Sequence, residues 1–165
     1  MRSGVRLGVD VGKARIGVAR SDLHGMLATP VETVPRDTAG VADHARLIEI
    51  AREINATEVI VGLPLNMRGE RTLSTDDAAD FAHELAARLA RHEIAVRLVD
   101  ERLSTVSAQG QLRQAGKKTK QTRSIIDQAA AVVILQHALD SERAQGAAPG
   151  QAVEVVDADA KEKDA

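Results

Sequence analysis

Three runs of alternating apolar residues open the chain before any helical periodicity appears, and that order limits the folds available. A period of two marks a strand with one buried face. The runs fall at about 5–11, 14–21 and 28–35, with turn residues at Gly12-Lys13 and around His24-Gly25 between them. Such short connections join antiparallel neighbours, so a three-strand meander is predicted. Beyond it, strands and helices take turns. A helix is expected at about 39–54, where Leu47, Ile50, Ala51 and Ile54 share one face. "TEVIVGLP" then reads as a strand buried on both sides. The segment "STDDAADFAHELAARLARH" reads as a helix opened by a Ser74–Asp77 capping box. A strand at 95–101 and helices at about 103–115 and 122–141 complete the order. Alternating strands and helices favour parallel, right-handed crossovers. The expected fold is therefore α/β in three layers. A mixed five-stranded sheet, the antiparallel meander plus two parallel strands, carries helices on both faces.

At 165 residues the chain can bury one substantial core. Residues 1–143 are expected to form one domain, and the small, polar, acidic stretch 144–165 a disordered tail. The longest apolar run, "AAAVVIL", is far too short to cross a bilayer, and no basic-then-apolar leader opens the chain, so a cytoplasmic protein without membrane contact is expected. Absence of cysteine removes disulfides, thiolate nucleophiles and Cys-based zinc sites. A single Phe, with no Tyr or Trp, argues against base stacking on aromatic platforms.

Against this background Asp10 is out of place. It lies inside the first strand of "RLGVDVGKARIGVARSD", on the face opposite Leu7, Val9 and Val11, with Gly8 and Gly12 on either side. A buried ionised carboxylate is costly unless compensated. Two further acids break their local patterns. Glu101 ends the strand "VRLVDE" at the sheet edge where active sites of open α/β folds gather. Asp127 shares a helix face with Ala130, Ala131 and Ile134 in "SIIDQAAAVVIL". Singly, each has an ordinary explanation: a turn cap, a solvated strand end, a first-turn acid at the helix dipole. Jointly they would repel one another unless a hard dication intervened. Oxygen donors suit Mg²⁺ or Mn²⁺. Two such ions about 4 Å apart could activate water and stabilise a leaving oxygen at a phosphodiester. On this reading Gly8 and Gly12 leave room for metal and substrate backbone beside Asp10.

Four blocks, "LGVDVGKARIGVARSD" (7–22), "VIVGLPLNMRGE" (59–70), "VRLVDERLSTVSAQ" (96–109) and "IIDQAAAVVILQHAL" (125–139), together resemble the YqgF/RuvX family of ribonuclease H-like nucleases. Members of that family are credited with resolving Holliday junctions and with processing the 5′ end of precursor 16S rRNA. The resemblance spans about residues 4–141 and implies a catalytic triad of Asp10, Glu101 and Asp127. One loop departs from the family's glycine-rich pattern, reading "RGERTLSTDDAADFA" with Arg68, Arg71, Asp76 and Asp77.

Around the acids, Lys13 and Arg15 flank the hairpin turn and suit either phosphate contact or a solvated turn. Asn66 suits phosphate binding or turn formation. Arg102 could clamp a phosphate or pair with Asp100. Lys117, Lys118, Lys120 and Arg123 belong to the acid-free strip "RQAGKKTKQTR", expected to reach flanking nucleic-acid backbone.

Two other classes remain in play. "VDVGKARIGVA" also resembles the phosphate hairpin of actin-like and sugar-kinase ATPases, which need two such lobes. A non-catalytic binding module would need the acids to be lost, and all three are present. Among nuclease substrates, symmetric cleavage of a branched DNA junction needs a two-fold dimer, whereas end trimming of precursor rRNA needs one site. No apolar patch in the sequence announces a dimer interface. The expectation is a monomeric precursor-rRNA endonuclease, with junction resolvase, and hence a dimer, as the alternative.

Overall fold

The computed structural model describes residues 1–101 and 120–155. In chain order these hold β1 (Val5–Val11), β2 (Arg15–Ser21), β3 (Ala28–Pro35), α1 (Ala42–Glu53), β4 (Ala56–Leu63), α2 (Leu73–Leu89), a 3₁₀ turn (Ala90–His92), β5 (Ala95–Asp100), α3 (Lys120–Gln145) and β6 (Gln151–Ala152). The sheet order is β3-β2-β1-β4-β5-β6. β1 to β3 pair antiparallel as the meander predicts, and β1, β4 and β5 pair parallel.

The sheet has six strands rather than the expected five. Gly146 and Gly150, both in the left-handed region, turn the chain back after α3. β6 then pairs antiparallel with β5, and Val153 N–H donates to Val96 O at 2.9 Å. Arg97 fixes the turn by donating from Nε to Pro149 O and from Nη2 to Gly150 O. A two-residue strand carries no periodicity, so the tail's composition could not announce it. The helix expected at 103–115 lies outside the described residues.

Period two sorts the sheet into two faces. Leu7, Val9, Val11, Ile16, Val18, Val59 and Val61 join Leu47 and Ile50 of α1 and Phe81, Leu85 and Leu89 of α2 in one core. Ala19, Ile60 and Val99 face the other way and pack against Ala131, Ile134, Leu135, Ala138 and Leu139 of α3. Three layers result. No helix of the described residues is long and apolar enough to cross a membrane.

Two local devices differ from expectation or were not foreseen. The capping box of α2 is Thr72–Thr75, not Ser74–Asp77. Thr75 N–H donates to Thr72 Oγ1, and Thr72 N–H donates back to Thr75 Oγ1 at 2.9 Å. Thr75 is buried and its hydroxyl also bonds Pro64 O, which fixes the earlier start. Asp77 is thereby left to receive both Nη groups of Arg36. Arg71 pairs with Asp76, so two of the four unusual charges of this loop satisfy one another.

The second device is a buried ion cluster far along α3. Arg6, exposed by only 1%, pairs with Glu142 at 3.1 Å. Arg2 bridges Glu142 and Glu58. Glu142→Ala would strand the Arg6 guanidinium in the interior, and a loss of about 3–5 kcal/mol in urea unfolding is expected. A loss below about 1 kcal/mol would mean that the cluster contributes little.

Candidate active site

One row across the sheet builds the site. Asp10 pairs directly with Gly17 on β2. On its other side the β1–β4 register runs Gly8↔Ile60 and Val9↔Val61, so the next step brings Gly62 beside Asp10. Gly8, Asp10, Gly17 and Gly62 all face α3. Small residues on this face let the helix approach the sheet closely.

The two flanking glycines have a specific purpose. A Cβ on Gly17 would lie 1.8 Å from the Asp127 carbonyl oxygen, so only hydrogen there admits the α3 backbone. A Cβ on Gly62 would lie 2.1 Å from Glu101 Oε2. The glycines beside Asp10 thus seat the other two acids. Neither was singled out from sequence, although a glycine facing a helix inside a strand signals close approach.

Gly8 and Gly12 correct an expectation. A Cβ on Gly8 would meet Leu135 Cβ at 2.7 Å, and one on Gly12 would meet Arg15 O at 2.7 Å. Gly8 makes room for α3 and Gly12 for the tight hairpin, not for metal or substrate.

Glu101 directly follows β5, and its N–H donates to Leu63 O at 3.4 Å. Its carboxyl is buried beside Asp10, and its Oε2 has no hydrogen-bond partner among the described residues. Burial, then the charge of Asp10, then the hydrogen bond between them push Glu101 up to about 8. Asp10 is pushed up to about 6 by burial and the charge of Asp127, with the Glu101 hydrogen bond pulling it back part-way. The pair titrates as a unit and keeps a proton near neutrality.

A pH dependence follows. Both folded-state values lie above the ordinary 3.8 and 4.5. The folded chain therefore holds more protons than the unfolded chain between about pH 4 and 8, and these groups cost stability as pH rises through that window. Relative to Glu101→Gln, the metal-free wild type is expected to lose stability steadily from pH 5 to 8 in urea titrations. A flat difference would remove the buried pair.

Asp127 completes the neighbourhood, but its carboxylate is engaged. Arg15 Nε donates to its Oδ2 at 2.7 Å, a pairing with no signal in the sequence. Among the described residues, no three His, Asp or Glu side chains are already arranged to hold a metal ion. The structure thus brings Asp10 and Glu101 into contact and sets Asp127 close to Asp10 while paired with Arg15.

The expected nucleic-acid contacts divide in the same way. Lys13 is exposed in the hairpin turn, with its charge felt at Asp77. Asn66 shapes its turn, its Oδ1 accepting N–H bonds from Arg68 and Glu70, both at 2.9 Å. Arg123 is exposed on the first turn of α3, where Lys120 begins the helix. Arg102, Lys117 and Lys118 lie outside the described residues.

The RuvX family, described as Holliday junction resolvase, matches residues 4–141. A protein of Clavibacter sepedonicus named "Putative pre-16S rRNA nuclease" is 63% identical over 153 residues, covering 93% of each chain. One of the same name from Leifsonia xyli is 56% identical, covering 93% of this chain and 97% of its own. Among solved structures, Thermus thermophilus RuvC in complex with a Holliday junction substrate superposes with a TM-score of 0.52 at 17% identity. That match covers 86% of this chain and 96% of RuvC. This last likeness fixes the ribonuclease H-like fold. The chain belongs to the RuvX family.

Proposed function

We propose that the chain is a divalent-metal-dependent endonuclease that hydrolyses phosphodiester bonds in precursor 16S rRNA, with Asp10, Glu101 and Asp127 as its catalytic acids. The buried Asp10–Glu101 pair, with the Asp127 charge bearing on Asp10, supports the reading. The names borne by relatives more than half identical support the substrate. We infer a ribosome-assembly role in the cytoplasm, for which a monomer suffices because end trimming needs only one site.

The donor set fits Mg²⁺ or Mn²⁺. All three groups offer hard oxygens, and Glu101 Oε2 is buried with no hydrogen-bond partner among the described residues. A dication bound there would supply Lewis acidity at the scissile phosphate and a water of lowered pKa, and a second ion could share the work. The protein's own contribution is separate. Asp10 and Glu101 present oxygens held by the sheet and must shed their shared proton on loading. Burial of Glu101 limits bulk water around the reacting phosphate. Lys13, Arg15, Asn66, Arg102, Lys117, Lys118, Lys120 and Arg123 are proposed to meet the nucleic-acid backbone.

The family's description as a junction resolvase supports the second reading, a dimer acting on branched DNA. Wild type and Glu101→Gln, each with Mg²⁺ or Mn²⁺, should be set against a precursor-rRNA leader and a four-way DNA junction. Cleavage of the leader by wild type alone is expected. Cleavage of the junction alone would favour resolvase, and cleavage surviving in Glu101→Gln would reject the site.

A further inference from the structure

The arginines that brace this fold are well anchored, and Arg15 is not. Arg36 grips Asp77 with both Nη groups and also bonds Gly12 O. Arg6 is buried and held by Gly4 O, Arg2 O and Glu142. Arg15 makes one bond, Nε to Asp127 Oδ2, and its Nη groups have no other hydrogen bond among the described residues. Its side chain is 38% exposed and that of Asp127 19%. Single-point pairs near solvent are weak.

Its position explains why a weak pair should be there. Arg15 lies two residues before Gly17, so both face α3 and the row that holds Asp10. Without a bound cation, Asp10 lies against Glu101 and the Asp127 charge bears on it. The guanidinium neutralises Asp127. A dication reaching the same carboxylate would compete with Arg15 for it and repel it.

We propose that Arg15 is an exchangeable counter-ion of Asp127, occupying this carboxylate until a divalent metal ion displaces it and so setting the threshold for metal loading. The proposal rests on the metal site put forward above and concerns its regulation. The displaced guanidinium, with both Nη groups free, becomes available to backbone phosphate. Arg15 is thus a positioning residue for Asp127 in the unloaded protein.

The test uses manganese alone, with no nucleic acid, and follows free Mn²⁺ by electron paramagnetic resonance. Arg15→Gln is expected to bind Mn²⁺ about three- to tenfold more tightly than wild type, because the competing charge is gone. Arg15→Lys, which restores a charge, should return the affinity to within about twofold of wild type. A merely structural arginine would give weaker binding on removal. Equal or weaker binding by Arg15→Gln overturns the proposal, as does an Arg15→Lys affinity matching that of the Gln variant. Asp10→Asn separates the two levels. If it binds Mn²⁺ as wild type does, the site itself is wrong; if it loses binding while Arg15→Gln is unchanged, only the counter-ion role fails.

Discussion

Asp10→Asn is expected to lose cleavage by about a thousandfold or more and, at pH 8 without metal, to melt at a higher temperature than wild type. The two effects have one origin. Asp10 sits beside Glu101 and close to Asp127, and burial and like charge hold its carboxyl up to about 6. Above that value the wild type keeps a carboxylate that its surroundings disfavour, and an amide of the same shape removes the penalty. Each kcal/mol gained would raise Tm by about 2–4 °C in a domain of this size. The same amide is a poor ligand for a hard dication, and several kcal/mol of transition-state stabilisation would go with the metal. Such opposition of stability and activity is what a functional site produces. A variant that is both inactive and less stable at pH 8 would instead mark Asp10 as a structural acid.

Gly17→Ala is expected to be among the most damaging single-methyl changes in the protein. The new Cβ would stand 1.8 Å from the Asp127 carbonyl oxygen and 2.4 Å from its carbonyl carbon. Both are backbone atoms, so no rotamer change relieves the clash and α3 must lift from the sheet. Overpacking of this kind costs about 1–3 kcal/mol, and more where backbone must move. Displacing α3 also moves Asp127 from Asp10, so cleavage should fall more than stability alone explains. Gly40→Ala is the control. Its Cβ would meet only the Asp37 side chain, and near-wild-type stability is expected. Urea unfolding of both variants, with cleavage at a temperature where each is folded, distinguishes the outcomes. A Gly17→Ala protein as stable and active as wild type would mean that α3 does not depend on this contact.

The fold was readable because period two and helical periodicity are set by burial, and burial decides this architecture. Val9 and Val18 alternate because one side of each strand meets α1 and α2. The acids were readable for the converse reason, since Asp10 and Asp127 sit where burial should exclude charge. What escaped the sequence depends on distances between elements. Nothing local announces that Arg15 will meet a residue 112 positions away. Gly17 and Gly62 look like ordinary strand glycines until α3 and Glu101 fill the space above them. Two capping patterns overlap at the start of α2, and the buried Thr75 settles which is used. β6 leaves no signal in the sequence because pairing with β5, not its own composition, makes it a strand.

Crystals soaked in manganese chloride and measured at the Mn absorption edge would test the metal centre most directly. An anomalous peak among the carboxylates of Asp10, Glu101 and Asp127, with Arg15 withdrawn from Asp127, is the predicted result. A map without a peak there, at metal concentrations that support cleavage, would contradict it.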